Sequence, residues 1–366
     1  MPPYTLHTPF TIYNSGTAYD ENNNDIVALL ARINAGSRAF DWAAFAGPGS
    51  SLIKRHNYAP FSQHGIDTRI QQGTLAWGAS FITNNVYMTS GLVSGTGMAL
   101  NTDHLIKRIK AARTRPSTIN MIGWSRGAVT CHIMAHALKK DFPSIKVNIF
   151  AIDPVPGPGN FQTENVTVPS NVVNYVAIMM IDEGRQEMQA ADVQRLPGAS
   201  SVATFHRYNF RGLHCTGVEP GTSDAEKAVF KLVAHMAQSY LKSWGSKFTA
   251  DTYVKSDKEV CELFACVQNH GDSFKRNTRM GAQNARYIGN TKEWKQLKDQ
   301  RRDNFLNNYH RDAFTRAWGG LSQFQNSGVA AKLQQMKTQW PETVANIQSL
   351  LDEEDAASAA ASTLFG

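Results

Sequence analysis

The sequence predicts an α/β protein in which a mostly parallel sheet is flanked by helices. Over the first ~260 residues, apolar strand-like runs alternate with helical patterns, as βαβ units require. Two of the runs, 146–153 and 174–182, are almost continuously apolar, which is typical of strands buried on both faces. A chain of 366 residues is also long enough to bury a sizeable core.

Each element has a pattern of its own. Apolar runs predict strands at 10–14, 38–47, 118–123, 146–153 and 174–182. Helical periodicity predicts helices at 25–36, 102–114, 126–140 and 223–244. Ser223 is placed to cap the last helix. Residues 73–97 are rich in small polar residues but keep large apolar ones, which favours either a flap over a pocket or a plain surface excursion.

The composition changes after the alternating region. Between residues 268 and 340 there are 13 Lys or Arg against five Asp or Glu, which gives this segment a formal charge of +8. The whole chain carries +7. Aromatic residues are interleaved with these charges, a pattern that suits an anionic membrane surface as well as a solvated helical cap. Nucleic acid is not an expected partner, because no recognition motif accompanies the charge.

These patterns divide the chain into three parts. Residues 1–260 form the predicted core, with the possible flap at 73–97. Residues 261–349 form a basic helical region packed on the core, or alternatively an independent domain. Residues 350–366 are acidic and then rich in small residues, so a flexible tail is expected.

No targeting segment or metal site is predicted. No run reaches the ~18 apolar residues of a membrane span, and the opening residues lack the basic and apolar regions of a secretory signal peptide. The four cysteines lack C-x-x-C spacing, and Cys261 and Cys266 lie too far apart on a helix to share a face. Free thiols are therefore expected, with no metal and no organic cofactor.

One pentapeptide indicates catalysis. Gly123-Trp124-Ser125-Arg126-Gly127 fits G-x-S-x-G, with a predicted strand before it and a predicted helix after it. This context is that of a nucleophile on a strained turn, where the flanking glycines remove Cβ atoms that would clash. A structural serine in an ordinary connection is the alternative.

A serine nucleophile needs a base and a carboxylate that orients the base. Acids end the two following strands, at Asp153 and at Asp182 with its neighbour Glu183. Asp153 is preferred because Pro154 and Gly157 follow it in a tight turn, and Asp182 remains the alternative acid.

Several histidines could serve as the base. His214 is preferred, because it lies in a glycine-flanked loop just before the last predicted helix, and His206 is the alternative. His132 and His136 lie on the helix that follows the serine, so packing roles are expected for them.

The sequence resembles a bacterial α/β-hydrolase family that includes phospholipase effectors of type VI secretion. The family's G-F-S-R-G-A elbow is similar to "GWSRGA". Other family blocks resemble, in order, "FTIYNSGTAYDENNNDI", "FAGPGSS" (45–51), "AIDPV", "MIDEGR" (180–185) and "GLHCTGVEPG". Together these blocks span about residues 10 to 240.

The resemblance implies an α/β-hydrolase fold with Ser125 as nucleophile, Asp153 as acid and His214 as base. It also implies that Gly16 and Thr17 lie on the oxyanion side, and the backbone N–H of Arg126 is the expected second donor.

This chain departs from the family pattern at three places. Ser15 replaces the first residue of the opening Asp-Gly-Thr, the second Arg of the "MIDEGR" block is missing, and Glu219-Pro220 replaces the final Gly-Gly. The first departure affects the oxyanion side, and the last affects the loop that carries His214.

The function predicted from the sequence is serine ester hydrolysis on a lipid, most naturally a phospholipid. A non-lipid esterase or thioesterase and a catalytically inactive binding protein on the same scaffold are the alternatives. An effector role would make a secretion chaperone or an immunity protein a possible partner. The expected location is the producer's cytoplasm followed by translocation into another cell, since "DEEDAASAAASTLFG" resembles acidic C-terminal signals of type IV secretion substrates.

Overall fold

The structure is a computed structural model with no bound ligand. It describes residues 4–48, 50, 97–157, 160, 162–180, 182, 183, 188, 190, 191, 194, 195, 204–254, 259, 263, 266 and 267. The possible flap at 73–97 lies outside these residues except for Gly97, as do the basic segment 268–340 and the tail 350–366. Leu263, Cys266 and Val267 pack against the core.

Strands and helices alternate along the described chain. The strands are β1 Phe10–Asn14, β2 Trp42–Phe45, β3 Thr118–Trp124, β4 Lys146–Ile152, β5 Thr167–Val168, β6 Val172–Met180, β7 Gln194–Arg195 and β8 Thr204–Phe210. The helices are α1 Ile26–Arg32, α2 Met98–Ala111, α3 Arg126–Asp141, α4 Thr163–Val166 and α5 Asp224–Ser243.

A six-stranded parallel sheet organises the described part of the molecule. Its strand order is β2-β1-β3-β4-β6-β8, and every neighbouring pair runs parallel. The short strands β5 and β7 pair separately. Because the six strands are parallel, their carboxyl ends all reach the same edge of the sheet.

Helices cover both faces of the sheet, as the alternating pattern predicts. Side chains of α1 and α5 pack on one face, with Ile122, Phe150 and Val176. Side chains of α2 and α3 pack on the other, with Met121 and Ile149. Successive strand residues point to opposite faces, so both sides must be apolar. This accounts for the near-continuous apolar runs of β4 and β6.

Most of the predicted elements are present with small boundary shifts. β1 and β3 fall where the sequence places them, whereas β2 is shorter than the predicted 38–47. α1 ends at Arg32 instead of Gly36, and α2 begins at Met98 instead of Thr102. The edge strand β8 was not predicted as a strand, although it contains the alternative base His206.

A row of polar side chains crosses the sheet on the α5 side. Asn148 donates to Asn120 Oδ1 at 2.7 Å, and Asn174 donates to Asn148 Oδ1 at 2.7 Å. Asn120 in turn donates to Ser246 Oγ at 2.9 Å and to the Trp244 carbonyl at 3.1 Å, just after α5. We call Asn120, Asn148 and Asn174 the asparagine row. Through it, three strands are bonded to one another and to the end of a helix.

None of the helices within the described ranges is long and apolar enough to cross a bilayer.

Candidate active site

Ser125, Asp153 and His214 all follow the carboxyl ends of strands of the sheet, namely β3, β4 and β8. The strand order reverses between β1 and β3, since the chain passes from β1 outward to β2 and then returns to β3 on the other side of β1. Such a reversal leaves a crevice at the carboxyl edge, which is where open α/β sheets bind ligands. The turn after β1 begins with Ser15 and the turn after β3 begins with Ser125, so both meet at this crevice.

Ser125 occupies a strained turn between β3 and α3. Its φ of 56° and ψ of −124° lie outside the regions that a non-glycine residue ordinarily adopts. Its backbone N–H donates to Ile152 O at 3.0 Å, and its carbonyl accepts from Val155 N at 3.3 Å. Backbone strain held in place by such bonds is characteristic of functional turns, and it argues against an ordinary connection.

The two glycines of the pentapeptide allow the close approach that this turn needs. A Cβ on Gly123 would lie 2.4 Å from the Gly127 carbonyl oxygen, so the strand before Ser125 touches the helix after it. A Cβ on Gly127 would lie 2.2 Å from Asn14 O. Both neighbours are backbone atoms and cannot move aside, which accounts for glycine at both positions.

Asp153 and His214 are hydrogen-bonded to each other. His214 Nδ1 donates to Asp153 Oδ2 at 2.6 Å, and the two side chains are 5% and 0% exposed. The other carboxylate oxygen of Asp153 accepts from Met180 N at 2.9 Å, so the strand end of β6 holds it in place. With Nδ1 donating, the neutral ring presents Nε2 as an acceptor, as a general base must.

Three further contacts fix the histidine. The ring of Trp124 lies 5.2 Å from the imidazole, centroid to centroid, and its Nε1 donates to the His214 carbonyl at 3.3 Å. The buried carboxylate of Glu183 accepts from the His214 backbone N–H at 3.0 Å. His214 therefore has partners at its ring, its N–H and its carbonyl.

Asp182, the alternative acid, has a different role. Its Oδ2 accepts from Gly212 N at 2.7 Å and from Arg211 Nε at 2.7 Å, and its own N–H donates to Gly212 O. Among the described residues, its carboxylate has no hydrogen bond to an imidazole. Asp182 thus secures the start of the loop that carries His214.

The alternative base His206 lies away from the crevice. It is level with Val176 and Phe150 in the sheet, four residues before β8 ends, and its ring stacks on Tyr208 at 5.6 Å. Partial burial lowers its pKa. No carboxylate partner of His206 is found among the described residues.

His132 and His136 have the packing positions expected of them. The His132 ring donates from Nδ1 to Asn165 O at 3.0 Å and lies 3.2 Å from Tyr175 Oη through Nε2. The His136 Nε2 atom is 3.1 Å from Thr167 Oγ1. Both rings contact the chain around α4 and β6.

The turn after β1, for which the sequence predicts an oxyanion role, lies beside the turn that carries Ser125. Among the described residues, the backbone N–H groups of Gly16 and Thr17 donate no hydrogen bond, whereas those of Ser15, Ala18 and Tyr19 do. A Cβ on Gly16 would lie 2.3 Å from the Trp124 ring, so the turn lies directly against the residue that precedes Ser125.

Arg126 connects this turn to the loop that follows Asp153. Its guanidinium donates to Thr17 Oγ1 at 3.1 Å and lies against Gly157, where a Cβ would be 2.3 Å from Nη2. The residue is 2% exposed, and burial lowers its pKa to about 10, so it remains charged at neutral pH. Its side chain thus holds together two loops on either side of Ser125.

Glu219 lies near the end of the loop that carries His214 and contacts the turn after β1. Its carboxylate accepts a hydrogen bond from Tyr19 Oη, and the Tyr19 ring packs edge-on against Trp124 at 4.8 Å. Nearby, Ile26 N at the start of α1 donates to Val218 O, and burial raises the pKa of the capping Asp25 to about 6. These contacts hold the end of the loop that carries His214.

The structure therefore brings Asp153 and His214 into contact and places Trp124, adjacent to Ser125, on the imidazole. Among the described residues, Ser125 Oγ has no hydrogen bond. Catalytic hydrogen bonds are often long before substrate binds, so the lack of a hydrogen bond at Ser125 Oγ is compatible with a triad. Within the same residues, no three His, Cys, Asp or Glu side chains are grouped to hold a metal ion.

Sequence reasoning did not assign roles to Trp124 and Glu183. Trp124 lies in "GWSRGA" and Glu183 lies in "MIDEGR", but their contacts to His214 depend on the path of the 211–219 loop, which the sequence does not reveal. The available indication was the second acid of the Asp182-Glu183 pair, because two adjacent carboxylates at one strand end can reach different parts of a neighbouring loop.

Comparisons with known proteins give little guidance. No protein-family model matches the chain, and no curated protein matches it. One solved structure that it resembles is described as an uncharacterized protein from Pseudomonas aeruginosa, with a TM-score of 0.44 and 13% identity. The match covers 94% of this chain and 62% of the other, so this chain spans less than two thirds of that protein's length.

Proposed function

We propose that the chain is a serine hydrolase of α/β-hydrolase fold that cleaves a carboxylic ester. The observation that carries the proposal is the Asp153–His214 hydrogen bond beside Ser125 on a strained strand-to-helix turn. The three residues follow the order Ser, Asp, His along the chain, as in other α/β hydrolases. The crevice at the reversal of strand order supports the same assignment.

In the proposed reaction each of the three residues has its own step. Ser125 Oγ attacks the ester carbonyl carbon while Nε2 of His214 takes the hydroxyl proton. Asp153 holds the Nδ1–H and stabilises the imidazolium. The negative oxygen of the tetrahedral intermediate accepts from the N–H of Arg126 and from the turn at Gly16 and Thr17.

The intermediate then collapses. The C–O bond to the alcohol breaks, and the imidazolium gives its proton to the leaving oxygen. The acyl group stays on Ser125 until water, deprotonated by His214, attacks it and releases the carboxylic acid. Ser125 regains its proton from His214 at the end of the cycle.

A lipid ester is the proposed substrate class, and delivery as an effector is the proposed context. The support for both lies in the sequence: the resemblance of the hydrolase blocks, and the basic, aromatic segment 268–340 that suits an anionic membrane. A small ester or a thioester would use the same three residues. Hydrolysis of p-nitrophenyl esters of increasing acyl length, followed by phospholipid vesicles with and without anionic lipid, separates these substrates.

The test of the hydrolase proposal is Ser125→Ala. Loss of the nucleophile should lower ester turnover by roughly 10⁴-fold or more. Wild-type protein should also be labelled covalently by a fluorophosphonate probe at Ser125, because labelling needs an activated hydroxyl. His132→Gln is the matched control, since it changes a buried histidine on α3 and leaves the Asp153–His214 pair intact. Full activity of Ser125→Ala on every ester tested would contradict the proposal.

A further inference from the structure

The backbone of His214 is bonded at both of its polar groups by side chains outside the triad. Glu183, three residues after the end of β6, accepts from its N–H at 3.0 Å. Trp124, the last residue of β3, donates to its carbonyl at 3.3 Å. The two side chains come from different segments of the chain, and each is nearly inaccessible to solvent, at 2% and 4% exposed.

We propose that Glu183 and Trp124 are positioning residues that together fix the main chain of His214, and through it the direction of the imidazole. The inference rests on the proposed serine-hydrolase function. The Asp153 hydrogen bond fixes one ring nitrogen, but a single bond at Nδ1 still allows the ring to pivot about it. Holding the backbone on both sides removes that freedom and directs Nε2.

Trp124 adds a constraint that its indole N–H alone would not supply. Its ring lies on the face of the imidazole at 5.2 Å and is itself packed between Gly16 and Tyr19. Because Trp124 immediately precedes Ser125, a shift of the strand end that moved the nucleophile would also move the carbonyl contact of the base. The same residue therefore couples the position of the base to that of the nucleophile.

Glu183 acts beside Asp182, but on a different point of the loop. Asp182 binds Gly212 N and Arg211, at the start of the loop, whereas Glu183 binds the histidine itself. A buried carboxylate that accepts from a backbone N–H forms a charge-assisted hydrogen bond, which is stronger than a neutral one. The two adjacent acids thus bind different residues of the same loop.

Glu183→Met and Trp124→Phe each remove one of the two side-chain contacts to the His214 backbone. Glu183→Met keeps the length of the side chain but cannot accept from His214, and Glu183→Gln retains an acceptor oxygen. Trp124→Phe keeps an aromatic ring and removes the N–H donor. The matched controls are Trp42→Phe, which removes an indole bond to Gly36 O at 2.9 Å, and Glu226→Met, which removes a carboxylate that accepts backbone N–H groups before α5.

The readouts are the labelling rate of Ser125 by a fluorophosphonate as a function of pH, and kcat and KM on p-nitrophenyl butyrate. Displacements of about 1 Å can cost about 100-fold in rate. We expect Glu183→Met to lower kcat and the labelling rate by about 10- to 100-fold, and Trp124→Phe by about 10-fold, with KM little changed. Glu183→Gln should recover most of the rate. The two controls should lower thermal stability without lowering kcat.

The outcomes separate the inference from the function on which it rests. If wild-type protein is labelled and both Glu183→Met and Trp124→Phe are labelled at the same rate, the positioning role is wrong and the hydrolase proposal stands. If wild-type protein is not labelled, the hydrolase proposal falls and the positioning role with it. Should Glu183→Met fail to fold, the Trp124→Phe and Trp42→Phe pair still decides the question.

Discussion

His132 shows how burial alone can determine the protonation state of one residue. Its ring is fully enclosed between α3, α4 and β6, with one nitrogen directed at Asn165 O and the other at Tyr175 Oη. This burial lowers the pKa of His132 from 6.5 to about 4. The folded protein therefore holds a neutral imidazole at pH values where the unfolded chain binds a proton.

The stability of the protein should depend on pH through this residue. Between pH 6.5 and about 4 the unfolded chain binds one more proton than the folded one, so the free energy of unfolding decreases as the pH falls. The contribution lost by pH 5 is about 2 kcal/mol. In His132→Gln, the decrease in unfolding free energy from pH 7 to pH 5 should be smaller than in wild type by about this amount, measured by urea denaturation.

Comparing wild type with His132→Gln cancels the contributions of other groups that titrate between pH 7 and pH 5, because both proteins contain them. Asp25 acts in the opposite direction, because a pKa raised to about 6 stabilises the fold as the pH falls. Asn24→Gln, at an exposed position, is the control, because it changes no titratable group. An identical pH dependence in wild type and His132→Gln would contradict the assignment.

At the candidate site, the residues that sequence could predict are those tied to a local pattern. Ser125 has its glycine-flanked pentapeptide, and Asp153 and His214 lie where strands end. The choice between Asp153 and Asp182 could not be made from sequence geometry alone, because both follow buried strands. The distinction depends on which carboxylate binds the imidazole of His214. Asp153, which does so, is 61 residues away in the sequence.

At the scale of elements, α5 has the most complete sequence signature. Ser223 Oγ accepts from Glu226 N at 3.2 Å, and the Glu226 carboxylate accepts from Ser223 N at 2.9 Å, which is a capping box. The helix that it starts supplies much of the core on one face of the sheet.

Ser223→Ala should lower the free energy of unfolding by about 1 kcal/mol, because the N–H of Glu226 loses its acceptor. Denaturation by urea measures the change. Ser243→Ala is the matched control on the same helix, since Ser243 Oγ donates only to Tyr240 O at the exposed last turn. If Ser223→Ala and Ser243→Ala lower the free energy of unfolding equally, the capping hydrogen bond contributes no more than the Ser243 hydrogen bond at the end of the helix.

Two elements show where local patterns mislead. Thr102 and Asp103 have the composition of a helix start, yet α2 begins at Met98, and Thr102 Oγ1 instead donates to Met98 O inside the helix. In β8, Phe205 packs on the α3 side of the sheet whereas Tyr208 and Phe210 pack on the α5 side, so apolar residues do not alternate regularly with polar ones. The strand nevertheless pairs with β6 along its whole length.

At the scale of the whole molecule, the asparagine row connects parts of the chain that are distant in sequence. Asn148 should be its most sensitive member, since it donates to Asn120 and accepts from Asn174. Asn148→Leu keeps the branched shape of the side chain but leaves the fully buried Asn120 Oδ1 without its donor. The expected loss is about 2 kcal/mol in the free energy of unfolding.

Urea denaturation of Asn148→Leu, with the exposed Asn24→Leu as control, measures this loss. The slope of unfolding free energy against urea should stay unchanged, since the surface exposed on unfolding is the same. A variant as stable as wild type would indicate that water or a local shift satisfies Asn120 instead.

The asparagine row also has a consequence for how the sheet assembles. Its members are separated by 28 and 26 residues in the chain, and Asn120 lies 126 residues before Ser246. If one strand entered the sheet a single residue out of step, its asparagine would face the opposite helices and its neighbours would be left with unmatched amides. Misaligned intermediates are thereby penalised on several strands at once. The asparagine row therefore favours the correct strand register over a register shifted by one residue. Uniform apolar contacts on both faces of a parallel sheet would distinguish the two registers poorly.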